Sequence, residues 1–218
     1  MLLLELQNAA QSEFRLLSED LGAALSYKAL APAKPLGITG LDIGLSATAT
    51  DLENVDVLEK VTSSSAPSTL IVPRVQAIKG LPLNIDLGGS YSAVPGSNIK
   101  LIGLEAKYAI LAGGIPTPAL AIRGSYTRLT GVDQLDFDTK GIDISVSKGF
   151  AFVTPYIGAG LVWVTSKPKN VAGLTEEKFR EEKFFGGFSL NFALMNLAVE
   201  ADKTGNAVSY GLKLGLRF

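Results

Sequence analysis

The chain has 218 residues and contains neither cysteine nor histidine. The lack of cysteine fits export through an oxidising compartment, where stray thiols are a hazard. The lack of histidine excludes a nucleophile activated by a Ser-His pair. No run of about 18 consecutive apolar residues occurs, so no transmembrane helix is expected. Neither charge sign is in excess: 20 Lys and Arg stand against 21 Asp and Glu, a net charge of −1. Nucleic-acid binding ordinarily rests on a clustered basic surface, and this balance gives no case for it. The start, Met1-Leu-Leu-Leu-Glu-Leu, has no basic n-region, sustained apolar h-region or small-residue cleavage site. It is not a complete signal peptide; if the protein is exported, its targeting segment is expected to have been removed or replaced.

What is present changes period along the chain. Leu3, Leu6, Ala10, Phe14, Leu17, Leu21 and Leu25 recur at three- and four-residue spacing. That spacing predicts an amphipathic helix with one apolar stripe, with Ser18-Glu-Asp-Leu-Gly as a candidate break near Gly22. Ala31-Pro-Ala-Lys-Pro-Leu-Gly follows as a turn or linker. Residues 1–36 are therefore read as an N-terminal helix and linker, a candidate plug, and residues 37–218 as a second unit. Ala23 to Leu30 is open between an extra strand, the helix end and an extended plug.

From Gly37 the period is two. Leu41, Ile43, Leu45 and Ala47 alternate with Asp42, Gly44, Ser46 and Thr48; Ile102, Leu104, Ala106, Tyr108 and Ile110 alternate with Gly103, Glu105 and Lys107. The same one-sided strand pattern recurs about ten times. The breaks form two alternating sets. Gly80-Leu-Pro, Gly113-Gly-Ile-Pro-Thr-Pro, Lys148-Gly and Met195-Asn are mostly short. Asp51 to Thr69, Val94-Pro-Gly-Ser-Asn, Thr130-Gly-Val-Asp-Gln, Ser166 to Arg180 and Lys203-Thr-Gly-Asn include longer, more polar pieces. Short turns at one end and long loops at the other predict a transmembrane barrel. A short helix with an Asp N-cap is expected from Asp51 to Lys60. The strand count is about ten, with twelve as the alternative.

A soluble barrel also alternates, so three further features decide the environment. The strands run about ten to twelve residues, enough to cross a bilayer at a tilt. Aromatic residues near strand ends (Tyr91, Tyr108, Tyr126, Phe137, Trp163, Phe184 and Phe218) suit an interfacial girdle. The other face carries Arg74, Asp86, Glu105, Lys107, Arg123, Asp143, Lys183, Glu200, Lys213 and Arg217. A dry core would bury these charges at several kcal/mol each unless paired, whereas a hydrated lumen largely removes that cost. These ten are the candidate pore-lining residues, with Asp42 and Asp202 on the same face.

The last strand, Tyr210-Gly211-Leu212-Lys213-Leu214-Gly215-Leu216-Arg217-Phe218, keeps strict alternation to a terminal Phe. It resembles the C-terminal strand of Gram-negative outer-membrane β-barrel proteins, and Thr154-Pro-Tyr-Ile-Gly-Ala-Gly-Leu resembles a strand opening common in small members of that class. The resemblance covers roughly residues 37 to 218, without the N-terminal helix. It implies an all-β closed antiparallel barrel integral to the bacterial outer membrane. Tyr210, Gly211, Leu212, Leu214, Leu216 and Phe218 would then be an assembly signal. The implied partners are outer-membrane lipid, lipopolysaccharide and the barrel-assembly machinery.

Function is less specified. Enzymes of this class generally use a histidine, so no catalytic residues, cofactor or metal are expected. Asp133, Asp136 and Asp138 sit close together, and Gln134 to Lys140 reads as a loop or rim, without the spacing of a calcium motif. Inward Gly88, Ser90, Gly158, Gly160, Gly187 and Gly215 are expected to leave room for a narrow polar pore. The preferred reading is a monomeric porin-like channel for passive passage of small solutes, gated by the N-terminal segment. The alternative is a non-conducting structural or surface-interaction protein. A helix is about 10–12 Å across, so a lumenal helix and a twelve-strand barrel are expected together.

Overall fold

The computed structural model describes residues 6, 9–62 and 67–218. It is a closed antiparallel barrel of ten strands in simple up-and-down order. A helix α1 (Gln11–Leu25) precedes β1 (Leu41–Asp51). A second helix α2 (Val55–Thr62) sits in the loop before β2 (Thr69–Gly80). Then follow β3 (Ile85–Ala93), β4 (Lys100–Ala112), β5 (Ala119–Thr130), β6 (Leu135–Ser147) and β7 (Val153–Pro168). The barrel ends with β8 (Glu177–Phe192), β9 (Met195–Thr204) and β10 (Ala207–Arg217). β10 pairs with β1 from Asp42↔Arg217 to Thr50↔Ser209, so no strand edge is left open. Beyond this register the Phe218 N–H donates to the Leu41 carbonyl at 2.8 Å.

Alternation along each strand sorts the residues. Outward, Leu45, Ile71, Leu104, Ile157, Phe184, Phe188, Tyr210 and Leu214 are all more than half exposed. Inward, Asp42, Ser46, Thr48 and Thr50 of β1 are buried, as are Arg74 and Gln76 of β2. A continuous apolar exterior of this extent is incompatible with water, and closure satisfies every backbone group that lipid cannot. The barrel spans a membrane. With an even strand count, short turns at one end and longer loops at the other, it is an integral outer-membrane protein.

Several boundaries differ from the expectation. α1 runs through Ser18-Glu-Asp to Leu25, since the apolar face of Phe14, Leu17 and Leu25 packs without interruption. Ala10 is exposed ahead of the helix instead of lying on the stripe, and Leu3 lies outside the described residues. Ala23 to Leu30 adds no strand. The loop expected from Ser166 to Arg180 shrinks to residues 169–176, because Ser166 pairs with Glu177 and Trp163 with Arg180. Residues 135–140 are strand, not loop. Met195 and Asn196 open β9, and the turn falls two residues earlier, at Ala193 and Leu194. In the β1–β2 loop the helix begins after Asn54, so Asp51 is not its cap. Phe137 faces inward and is 2% exposed, so it is no part of an outer girdle.

Candidate functional site

Ten strands enclose the N-terminal segment without needing twelve. α1 does not occupy the middle of the lumen. It lies across the long-loop end, and only extended chain enters the narrow part. Phe14, Leu17, Ala24 and Leu25 pack there against Val61 of α2 and the inward ends of strands: Val72, Leu101, Leu129, Leu135, Phe137, Val162 and Val164. Gly22 allows close approach to β7; a Cβ there would sit 2.8 Å from Val164 Cγ2.

Polar contacts fix the same docking. The Glu13 carboxylate accepts from the Ala10 N–H at 2.7 Å and from Lys60 Nζ of α2 at 2.8 Å. The Lys60 bond holds the Glu13 carboxyl below its usual pKa. Asp20 accepts from the backbone N–H groups of Glu53 at 3.2 Å and Asn54 at 2.9 Å. Burial outweighs those bonds and pushes the Asp20 carboxyl up. Ser18 Oγ meets Ser166 Oγ at 2.8 Å, and Gln11 bonds the Thr175 backbone and the Glu177 carboxylate. The Arg15 guanidinium stacks 3.9 Å over the Phe179 ring.

After Leu25 the chain runs extended down the lumen to the start of β1. An unpaired strand inside a barrel has no ladder, so the wall must satisfy its backbone. Side chains of the inner face do this. Arg74 donates to the Ala24 carbonyl at 3.1 Å and Lys183 to the Tyr27 carbonyl at 2.8 Å. Gln76 donates to the Ala29 carbonyl at 3.2 Å. Lys107 donates to the Pro32 and Lys34 carbonyls at 3.0 and 3.2 Å. Asp86 accepts from the Leu36 N–H, 3.2 Å from Oδ1. Lys28 is the segment's own buried charge, 1% exposed, with Nζ 2.6 and 2.8 Å from the Asp202 carboxylate oxygens and 3.3 Å from Ser209 Oγ.

The ten inward charges expected from parity all lie on the inner face, nine of them buried and Arg217 partly so. Arg74, Lys183, Lys107 and Asp86 contact the threaded segment. The others pair mainly with the wall itself. Arg123 forms a bidentate pair with Asp143 at 2.9 and 3.0 Å and lies 3.6 Å from Glu105. Lys107 is 2.9 Å from Asp86, and Lys213 is 2.9 Å from Asp42, which Arg217 also reaches. Glu200 is buried on the same face. Asp136, from the acidic cluster, instead pairs with Lys169 at 2.7 Å near the barrel rim.

Room does not open where the inward glycines stand. A Cβ at Gly88 would meet the Glu105 side chain at 2.8 Å, and one at Gly187 the Tyr156 side chain at 2.8 Å. Both glycines seat a neighbour's side chain. Two others face the threaded segment: Gly103 lies under the Tyr27 ring, 2.9 Å from a built Cβ, and Gly211 under Leu30 at 2.7 Å. Leu30 sits at φ +49°, a conformation L residues seldom adopt, and is fully buried. A void beside Tyr27 and Lys183 measures about 10 Å³, enough for about one water. At the short-turn end a vestibule of about 570 Å³ opens below Pro32, Lys34 and Pro35.

Lys28 is the residue that sequence reasoning missed. Its signal was there: between Asp20 and Lys34 it is the sole charge in a run of apolar and small residues. In a segment leaving a helix for a polar lumen, such a charge finds a partner or is not tolerated.

No family model matches the chain, and no curated protein does. Among solved structures, the N-terminal β-barrel domain of Pseudomonas aeruginosa OprF is similar at 12% identity, covering 84% of this chain and 99% of that one, with a TM-score of 0.37. Ail, the attachment invasion locus protein of Yersinia pestis, is similar at 13% identity, covering 82% of this chain and 97% of that one, with a TM-score of 0.33. Neisserial surface protein A is similar at 13%, covering 82% and 94%, with a TM-score of 0.35.

Proposed function

We propose that this protein is an outer-membrane channel that its own N-terminal segment holds closed, passing small polar solutes when that segment leaves the lumen. The observation that carries the reading is the way the wall holds the segment. Arg74, Lys183, Gln76 and Lys107 donate to its carbonyls, so a polar face designed for water serves, in the closed state, as a set of backbone donors. A permanently filled core gains nothing from buried ion pairs, which apolar residues of similar volume replace at little or no cost. A wall that is wet in a second state needs its charges. The vacated passage would have the cross-section of one extended chain. Both charge signs line it, so discrimination would rest on size more than on charge.

A second reading, a non-conducting surface-interaction barrel, is favoured by the pairs that the wall makes with itself, Arg123–Asp143, Lys107–Asp86 and Lys213–Asp42. These persist without the plug and would narrow the lumen. Single-channel recording in planar bilayers separates the two. The channel reading expects a mostly silent full chain and steady conductance from a chain lacking residues 1–36. Silence from both, with the barrels shown to be folded, sinks it.

A further inference from the structure

We propose that the chain crosses the membrane an eleventh time, through its own lumen, so that Leu6, Ala9 and Ala10, ahead of α1, stand on the outward face with α1 as an external stopper. β1 begins at the short-turn end, where Leu41 pairs with Lys79 beside the β2–β3 turn. The chain just before it, at Leu36, is held by Asp86, the second residue of β3, at the same end. The contacts that dock α1 lie in the opposite half of the barrel, reaching inward as far as Arg74, midway along β2, which holds the Ala24 carbonyl. Lys60 and Asn54 of the β1–β2 loop, Thr175 of the β7–β8 loop and the inward ends of β2, β4, β5, β6 and β7 hold it there. The Leu6 N–H, still nearer the N-terminus, bonds Gln134 Oε1 in the β5–β6 loop at 2.9 Å. The wall contacts of the segment between lead from the long-loop half of the barrel, at Arg74, Lys183 and Asp202, to Lys107 and Asp86 at the short-turn end. Long loops face outward in barrels of this kind and short turns face inward. Leu6, Ala9 and Ala10 are therefore on the outside.

Size makes the arrangement one-way. A helix with side chains is about 10–12 Å across, whereas the narrow part of the lumen is filled by an extended chain, with a void of about 10 Å³ beside Tyr27 and Lys183. Folded α1 cannot be drawn inward through the closed barrel. The segment must be enclosed before β1 and β10 zip together, or pass as unfolded chain. Once folded, α1 resists withdrawal toward the inner face, and anything joined ahead of it is tethered outside. Because the segment is continuous with β1 at the inner end, it can leave the lumen only toward that side, as unfolded chain, after α1 has undocked and unfolded; ligands or forces acting on α1 from outside bear on that first step. This inference rests on the path of the chain and not on conduction, so a silent barrel leaves it standing.

The absence of native cysteine makes the test clean. Single cysteines are introduced as Ala10→Cys ahead of α1, Ser97→Cys in the β3–β4 loop and Ile115→Cys in the β4–β5 turn. Ala10 is exposed and Ile115 is 98% exposed, so folding is not at stake. Intact cells are treated with a membrane-impermeant maleimide, each variant having been shown to migrate as a folded barrel. Ala10→Cys and Ser97→Cys should label on intact cells, and Ile115→Cys only after the outer membrane is permeabilised. An epitope fused ahead of Met1 should bind antibody on whole cells. Protection of Ala10→Cys while Ser97→Cys labels would overturn the path of the chain. Labelling of Ile115→Cys while Ser97→Cys is protected would overturn its direction.

Discussion

The Lys28–Asp202 pair offers the most direct perturbation of the plug. Asp202→Asn keeps the shape of the side chain and removes its charge. Lys28 is 1% exposed and would be left as an ammonium facing an amide oxygen and Ser209 Oγ. Removing one partner of a buried pair typically costs about 3–5 kcal/mol, because the other charge stays desolvated. At about 1.4 kcal/mol per tenfold, that is roughly a 100- to 4,000-fold shift away from the threaded state. The lower end is the better expectation, since water can follow Lys28 into the lumen as the segment loosens. The assay is open probability in planar bilayers, run beside thermal unfolding followed by gel migration. Openings should become at least about 100-fold more frequent. The unfolding temperature should barely move, because the ladder between β9 and its neighbours uses only backbone groups. Lys28→Met leaves Asp202, 4% exposed, as the unpaired buried charge, so it should open the channel as well, with the Thr204 hydroxyl at 3.0 Å softening the loss. An Asp202→Asn barrel that folds normally and opens no more than the parent would refute the pair as a latch.

Three further outcomes follow from the same geometry. Phe14→Ala removes the largest apolar side chain of α1 from the cap and should cost about 3–5 kcal/mol of docking, read as protease cleavage within residues 11–25 of an otherwise intact barrel. Gly103→Val places methyl groups against the Tyr27 ring and Ser90, so it should expel the segment and raise conductance, whereas Gly89→Val, whose Cβ would meet nothing closer than 3.6 Å, should not. The Glu13 carboxyl, held low by Lys60, stabilises α1 docking above its unfolded value of 4.5, and that contribution is lost as the pH falls through its lower folded value. Labelling of Ser18→Cys by a disulfide reagent that stays reactive in acid should thus be faster in Glu13→Gln than in the parent at pH 7, with the two rates converging in acid; a constant ratio across pH would count against the Glu13–Lys60 tie.

The barrel was legible because two solvents act on it. Lipid outside and polar groups inside force every spanning residue to one side, so Ile43, Leu45 and Ala47 against Asp42, Gly44 and Ser46 needed no more than parity. The pattern faded where lipid ends. Glu177, Lys178 and Arg180 of β8 lie toward the rim, where neither face must be apolar, and they looked like loop although they pair with β7. The inward charges were legible for the same reason as the strands, but their partners were not. Parity says that Arg74 and Lys183 point inward and nothing about whether they meet water, a carboxylate or a backbone carbonyl. The plug's backbone is the partner, and a backbone has no sequence signature.

One signature of the plug was nonetheless available. Near the long-loop ends alternation collapses into runs that are apolar on both faces: Leu70-Ile71-Val72, Leu101-Ile102, and Leu161-Val162-Trp163-Val164. The outward members meet lipid. The inward ones, Val72, Leu101, Val162 and Val164, would face water in an open pore, and a water-filled lumen gives no reason for them. Phe137 belongs with them, inward on β6, and its placement in an outer girdle overlooked its parity with Asp143. Together these positions form a ring of apolar surface inside one mouth of an otherwise polar barrel. Such a ring requires an apolar occupant, and the stripe of Phe14, Leu17 and Leu25 is the piece of this chain that matches it. The two anomalies, an amphipathic helix outside the strand pattern and strand ends apolar on their polar side, explain each other. Neither would persist if the helix were a passive extension. Polar substitution of the ring, as in Val164→Thr with Leu101→Thr, should release α1 while leaving the lipid-facing surface and the barrel intact.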